Sequence, residues 1–385
     1  PRDNTVYTGY QYGNYNYRDA AGKNHQIHPK HELKEPKLRW NWQTPILLSA
    51  HDPDVFYIGS NKLHRSTEQY KNFKTISRDL THGAKQGDVS YGTLSCISES
   101  PIKEGMLYTG SDDGLLHHSA NSGKTWKRIS DSLPPHLWIK EVLASRHSQN
   151  KVYTALNGHT WDHFDSYLFV SSTNGEAWKR IGLNLPAEPI NTVLEDPNHA
   201  HILYVGTDAG VYISTNSGAD FYPLSNLPPV AVHDLAIQEG NRDLIVATHG
   251  RSLYKLQLEA VYQSKTFRDS TFTLLPLPKI KYNENWGKLN YRWDTRVPSL
   301  NVVFFSELSE SITIEIRDSA DHVLLTKSVL STKGYNQNEV QLEFSENPSK
   351  TLIQGALQKY YPSPGTYTVY LRQNTLVRTQ SFLVK

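Results

Sequence analysis

The chain has 385 residues, and 40 Lys and Arg stand against 38 Asp and Glu for a formal net charge of +2. Acids and bases are interleaved, so there is no basic stripe of the kind a nucleic-acid ligand demands, and no apolar run approaches the ~18 residues of a membrane span or forms a signal-peptide core. The single cysteine, Cys96, sits in an apolar pattern and reads as a buried small hydrophobe; it excludes internal disulfides and a thiolate metal cluster but not secretion from a bacterium, where large cores dispense with disulfides.

Taken in chain order, one short strand pattern recurs six times: Val6–Gly9, Phe56–Gly59, Leu107–Gly110, Val152–Ala155, Leu203–Gly206 and Leu244–Ala247, at steps of 50, 51, 45, 51 and 41 residues. Repeats of that length with several strands each predict a β-propeller. Pro1–Asn4 stands where His51–Asp54 stands one repeat later, with no strand before it, so the first blade is read as truncated and the chain as the C-terminal part of a longer polypeptide. The best-formed repeat gives the plan. Strand A, innermost, is Gly92–Ser100, B is Gly105–Gly110, C is Leu115–His118 and D is Thr125–Ile129. The order recurs from Trp138 and from Ile190, and again from Val232 without a fourth strand.

Between C and D lies a second motif, Ser-x-Asn-x-Gly-x-Thr-Trp. Its full copy holds Ser119, Asn121, Gly123 and Trp126; weaker copies hold Ser171, Gly175 and Trp178, then Ser214, Asn216 and Gly218, and Ser66–Phe73 is degenerate. Asn bonds nearby backbone N–H groups and Gly supplies a positive φ, so each copy is read as a structural hairpin turn. After Leu258 the repeat is lost. Residues 259–283 read as a connector, and 284–385 carry short alternating strands separated by turn signals, as in an Ig-like β-sandwich. The expected fold is therefore all-β: propeller blades over 1–258, incomplete in this chain, then the sandwich.

The turns and strand repeats resemble the Asp-box (BNR) propellers of the sialidase and sortilin-like group. The resemblance is strongest to the large secreted bacterial proteins labelled sortilin-related glycosyl hydrolases. It rests on Arg39–Pro45, Leu143–His147, Ala155–His159 with Trp161–Tyr167, Asn191–Pro197, and Ala231–Ile237 with Ala247–Arg251. It spans residues 1 to about 258 and implies further blades ahead of this chain. It also implies a secreted, periplasmic or outer-surface bacterial protein. An activity does not follow from the fold.

Strand order locates the site. A–B and C–D connections share one face; B–C and D–A connections share the other. The B–C loops hold Asn61, Asp112, Asp113, Asp208, His249 and Arg251, and the longer loop 157–165 holds His159, Trp161, Asp162 and His163. Asp112, Asp113 and Asp208 sit at equivalent turn positions, and Asp113 and Asp208 are the candidate catalytic pair, since glycoside hydrolysis needs two carboxyl groups roughly 5–9.5 Å apart; the same residues also fit ordinary Asp turns. Trp161 suits stacking on a sugar or docking a partner, or packing within its own loop. His25, His28 and His31 are spaced by three, but Pro29 breaks any shared helical face, so no metal and no cofactor is expected. Neither a phosphate loop nor a Gly-x-Ser-x-Gly elbow is found. The sequence thus points to a binding or scaffold propeller for a protein, peptide or glycan partner, with a polysaccharide-cleaving glycoside hydrolase as the alternative.

Overall fold

The computed structural model describes residues 5–85, 90–224, 227–263, 271–291, 294–348 and 352–385. Pro1–Asn4, and residues 264–270 of the stretch read as a connector, lie outside them. The chain is nearly all β, in small antiparallel sheets of the β-propeller type. Four sheets run in chain order as four-stranded meanders: Ile46–Leu48 to Lys74–Thr75, Leu94–Glu99 to Lys127–Arg128, Trp138–Ala144 to Lys179–Ile181, and Ile190–Glu195 to Tyr222–Pro223. Two more have three strands, Val6–Tyr10 to Asn24–Ile27 and Val232–Gln238 to Leu253–Gln257. By contact density the chain divides into two compact units. One is built from residues up to Phe221 with Pro229–Ile237 and Val246–Tyr254; the other holds Tyr222–Pro228, Gln238–Ile245 and Lys255–Lys385.

The recurrent second strand is apolar on both faces because it is sandwiched between neighbouring blades. Tyr57, Tyr108, Tyr153 and Tyr204 are all fully buried there. Their hydroxyls still need partners. Tyr57 and Tyr153 donate to Glu99 and Glu195, which end the innermost strand of the next blade, at 3.2 and 3.1 Å. The same motif in Val6–Tyr10 is largely exposed, with Val6 at 46% and Tyr10 at 66%, because among the described residues no innermost strand pairs with it.

The hairpin turns dock one blade on the one before. In the full copy, Gly123 N–H donates to Ser119 Oγ at 2.9 Å and Thr125 N–H to Asn121 Oδ1 at 2.9 Å, while Trp126 Nε1 reaches back to the Ile76 carbonyl at 3.0 Å. Gly175 repeats the bond to Ser171 at 2.9 Å, and Trp178 donates to the Ile129 carbonyl at 2.8 Å. Gly218 bonds Ser214 at 2.9 Å, with Phe221 in the tryptophan's place. The three glycines have φ of +83°, +90° and +85°, and each presses on the isoleucine that follows or ends the preceding blade's last strand: Ile76, Ile129 and Ile181. A side chain would clash there as well as strain the backbone.

The second unit contains two sheets, Phe272–Leu274 with Ser299–Ser306 and Gly334–Gln341, and Val323–Leu330 with Ser311–Arg317, Gly365–Gln373 and Leu376–Val384. They share one core of Phe272, Leu300, Val302 and Phe304 against Ile312, Ile314, Val369 and Phe382. Strict alternation builds it: Ile312, Ile314 and Ile316 are buried while the residues between them are not. The polar run Gly334–Asn338 gives no strand signal in the sequence, yet it pairs along Val302–Ser306.

Candidate functional site

The aspartates of the first complete B–C turns are bound up in the lattice between blades. Asp112, 7% exposed, accepts from Thr93 N–H at 2.8 Å and Thr93 Oγ1 at 2.6 Å. Burial pushes its carboxyl above the usual range, against the pull of those bonds. Asp113, 1% exposed, accepts from Ser111 Oγ at 2.6 Å and His82 N–H at 2.7 Å, one bond on each oxygen. Asn61 accepts from Arg39 N–H at 3.0 Å and donates to Asp79 at 2.9 Å, and the Arg39 guanidinium binds Asp79 at 2.7 Å. Burial raises the Asp79 carboxyl, but Arg39, Thr81 and Asn61 more than offset it and hold it low.

Asp208 differs. It is exposed and takes one hydrogen bond from Asn191 Nδ2 at 2.8 Å. His249 and Arg251 are exposed too, and the His249 ring lies 5.2 Å from that of His233. The stretch read as a long loop is a hairpin extension. Strands Val152–Gly158 and His163–Ser171 run up to one 3₁₀ turn, His159–Trp161, closed by Asp162 at φ +54°. His163 stacks on Tyr167 and His159 packs edge-on against Phe164. Residues 159–165 are all exposed, with Trp161 at 53% and Phe164 at 47%. Trp42, in the D–A connection of the same face, is 59% exposed, its ring edge against Tyr12 at 5.3 Å. Of the three spaced histidines, His25 is paired with Asp19 at 2.8 Å and stacked on Tyr70, and His28 lies 6.2 Å from Trp40. Among the described residues no group of three or more His, Cys, Asp or Glu is arranged to hold a metal.

A second set of residues, not singled out from the sequence, meets at the inner ends of the blades. Three successive innermost strands slip register at the same point, leaving Ser95, Lys140 and Asn191 as the extra residues between Leu94 and Cys96, Ile139 and Glu141, and Ile190 and Thr192. Such bulges re-aim side chains next to functional sites. The same phase in the last blade is His233 and Asp234. Two polar tiers result: Ser95, Lys140, Asn191 and His233, then Cys96, Glu141, Thr192 and Asp234. Because the bulges follow the D–A connections, the tiers lie toward the face that carries Asp208 and His249.

Neighbours shape their charge. Ser95 Oγ donates to the Ile139 carbonyl at 2.6 Å, tying one inner strand to the next. Glu141 is hydrogen-bonded to Thr192, and desolvation, then the nearby Asp234, push its carboxyl up to about 8. Asp234 is raised as well, chiefly by desolvation. Solvent reaches both groups, yet blade atoms crowd them from the sides, so each is only partly hydrated. Desolvation lowers Lys140 and His233, with Glu141 and Asp208 drawing Lys140 the other way. At neutral pH the lower tier thus holds a protonated Glu141 beside a second carboxyl.

No family model matches the chain. Over 151 residues it is 28% identical to a xyloglucanase of Hypocrea jecorina, a match covering 35% of this chain and 18% of that protein. The Niastella koreensis GH74 enzyme covers 95% of this chain at 12% identity with a TM-score of 0.50, over 61% of its own length. PorZ, an essential bacterial surface component of the type-IX secretion system of Porphyromonas gingivalis, aligns over 99% of this chain and 58% of its own at 14% identity, TM-score 0.49. The likeness to the Niastella koreensis enzyme, with the run of small meander sheets, shows the β-propeller fold. The chain spans under a fifth of the curated relative it matches. Among the described residues no helix is long and apolar enough to cross a membrane.

Proposed function

We propose that the face carrying the B–C and D–A connections binds a polysaccharide, and that this chain is the recognition part of a bacterial protein acting outside the cell, where such a ligand lies. One observation carries the reading: Trp42 and Trp161, each more than half exposed, stand on that one face. Large apolar rings left in solvent on a hydrogen-bonded scaffold suit stacking on pyranose rings, and Asp208, His249 and the upper tier offer donors and acceptors beside them. The hairpin turns support the Asp-box family reading. The shared two-sheet core supports an Ig-like sandwich after the blades, with Phe272–Leu274, inside the stretch read as connector, already one of its strands. The exposed edge of Val6–Tyr10 suits an innermost strand from preceding blades of a longer chain. Electrophoresis in gels cast with xyloglucan, β-glucan or mannan tests the proposal: one polysaccharide retards the protein and Trp161→Ala weakens the retardation. Unchanged mobility in all of them rejects it.

A second reading, glycoside hydrolysis, is favoured by the lower tier. Glu141 has the protonation a general acid needs, and Asp234 is the adjacent carboxyl a base or nucleophile requires. Reducing-end release from the same polysaccharides, lost in Glu141→Gln, would support it. Retardation without release leaves binding alone.

A further inference from the structure

The opposite face holds a groove of about 610 Å³ between two successive hairpin turns. Trp126 forms one wall; His118, Asn150, Thr173 and Asn174 supply the polar lining. The indole is fixed in place, since its Nε1 is committed to the Ile76 carbonyl at 3.0 Å. The charges at the rim cancel: Lys127 and Glu176 pair at 2.8 Å. The amides are set by a relay in which Tyr108 Oη donates to Asn174 Oδ1 at 3.1 Å and Asn174 Nδ2 to Asn150 Oδ1 at 3.3 Å. The His118 ring stacks on Tyr108 at 4.7 Å, and its Nε2 is buried with no hydrogen-bond partner among the described residues.

The ligand's chemistry follows from the lining. An aromatic wall calls for an apolar ring face. Amides and hydroxyls that both donate and accept call for a ligand rich in hydroxyls. A cancelled ion pair favours neither anion nor cation. We infer that this groove is a second saccharide site, taking a neutral pyranose that stacks on Trp126 and bonds Asn150 and Thr173. It lies on the face opposite to Trp42 and Trp161 and stands on its own observations. A chain held at both faces would be gripped at two points, which raises avidity for a long polymer without tightening either site.

Fluorine NMR on the full chain labelled with 5-fluorotryptophan separates the two sites. The chain has 8 Trp, and Trp126→Phe and Trp161→Phe assign their two resonances. Xyloglucan, β-glucan and mannan oligosaccharides are the probes. The inference predicts that one of them moves the Trp126 resonance saturably. It also predicts that Asn150→Ala, exposed and outside the fold's core, weakens that titration about tenfold, the loss of one good hydrogen bond. A moving Trp161 resonance with a still Trp126 overturns the second site alone. A moving Trp126 with a still Trp161 upholds it and overturns the proposed face. Two still resonances overturn both.

Discussion

Two sets of carboxyl groups, one in a turn between strands and one on the innermost strands, have different fates. Asp112 and Asp113 in the turns are buried and fully engaged: each accepts hydrogen bonds that fasten one segment of the lattice to another. Glu141 and Asp234 on the innermost strands are raised, as Asp112 is, but open to solvent. The functional group is the same, so the difference teaches that bonding and access together decide role. A carboxylate whose oxygens satisfy buried N–H and O–H groups is committed to folding, and one left partly desolvated keeps its proton chemistry available.

The largest effect should fall on the turn set. Asp113→Ala removes the acceptor of Ser111 and of the His82 N–H at a site with 1% exposure. It should destabilise the fold by about 2–4 kcal/mol, visible as a lower midpoint in denaturant; an unchanged midpoint would erase the distinction. Gly175→Ala comes next. Its Cβ would sit 2.4 Å from Ile129 Cδ1 at a φ of +90°, for a loss of about 1–3 kcal/mol, read by thermal unfolding.

The inner set should respond to pH instead. Folding raises the Glu141 carboxyl from 4.5 to about 8, so the native state holds a proton that the unfolded chain releases between those values. Stability from Glu141 is therefore fully present below pH 4.5 and lost as pH climbs through about 8. Glu141→Gln keeps the shape and never ionises. Its melting temperature should exceed that of the parent by a few degrees at pH 9 and match it at pH 4; a gap of constant size would mean that Glu141 does not titrate as described. The smallest effect on folding belongs to Trp161→Ala, within about 0.5 kcal/mol because the ring is exposed, while polysaccharide binding should fall at least tenfold.

Much of the fold was legible because the propeller writes itself in phase. The Tyr-bearing strand and the Ser-x-Asn-x-Gly turn each recur at blade length, and every copy meets the same neighbours, so periodicity carried tertiary information. The strand Gly334–Gln341 was not legible over its first half because Asn336, Gln337 and Asn338 carry no strand propensity; pairing with Ser299–Ser306 overrides it. Site residues were harder. Trp161 was visible as an aromatic among polar neighbours. Asp112, Asp113 and Asp208 looked alike from position, and burial separates Asp208 from the other two. Lys140 and Glu141 were hidden because a one-residue slip turns both inward, and register is a property of the pair of strands rather than of either alone.

The most direct test of the central claim is a hydrogen–deuterium exchange footprint of the full chain with and without the polysaccharide fragment that binds best. The account predicts slowed exchange at His159–Asp165, around Trp42 and at the strand starts bearing Lys140 and His233. The Asp112 and Asp113 turns, already locked by their own bonds, should not change. Protection confined to those turns, or absent from the Trp42 and Trp161 segments while the fragment is bound, would contradict it.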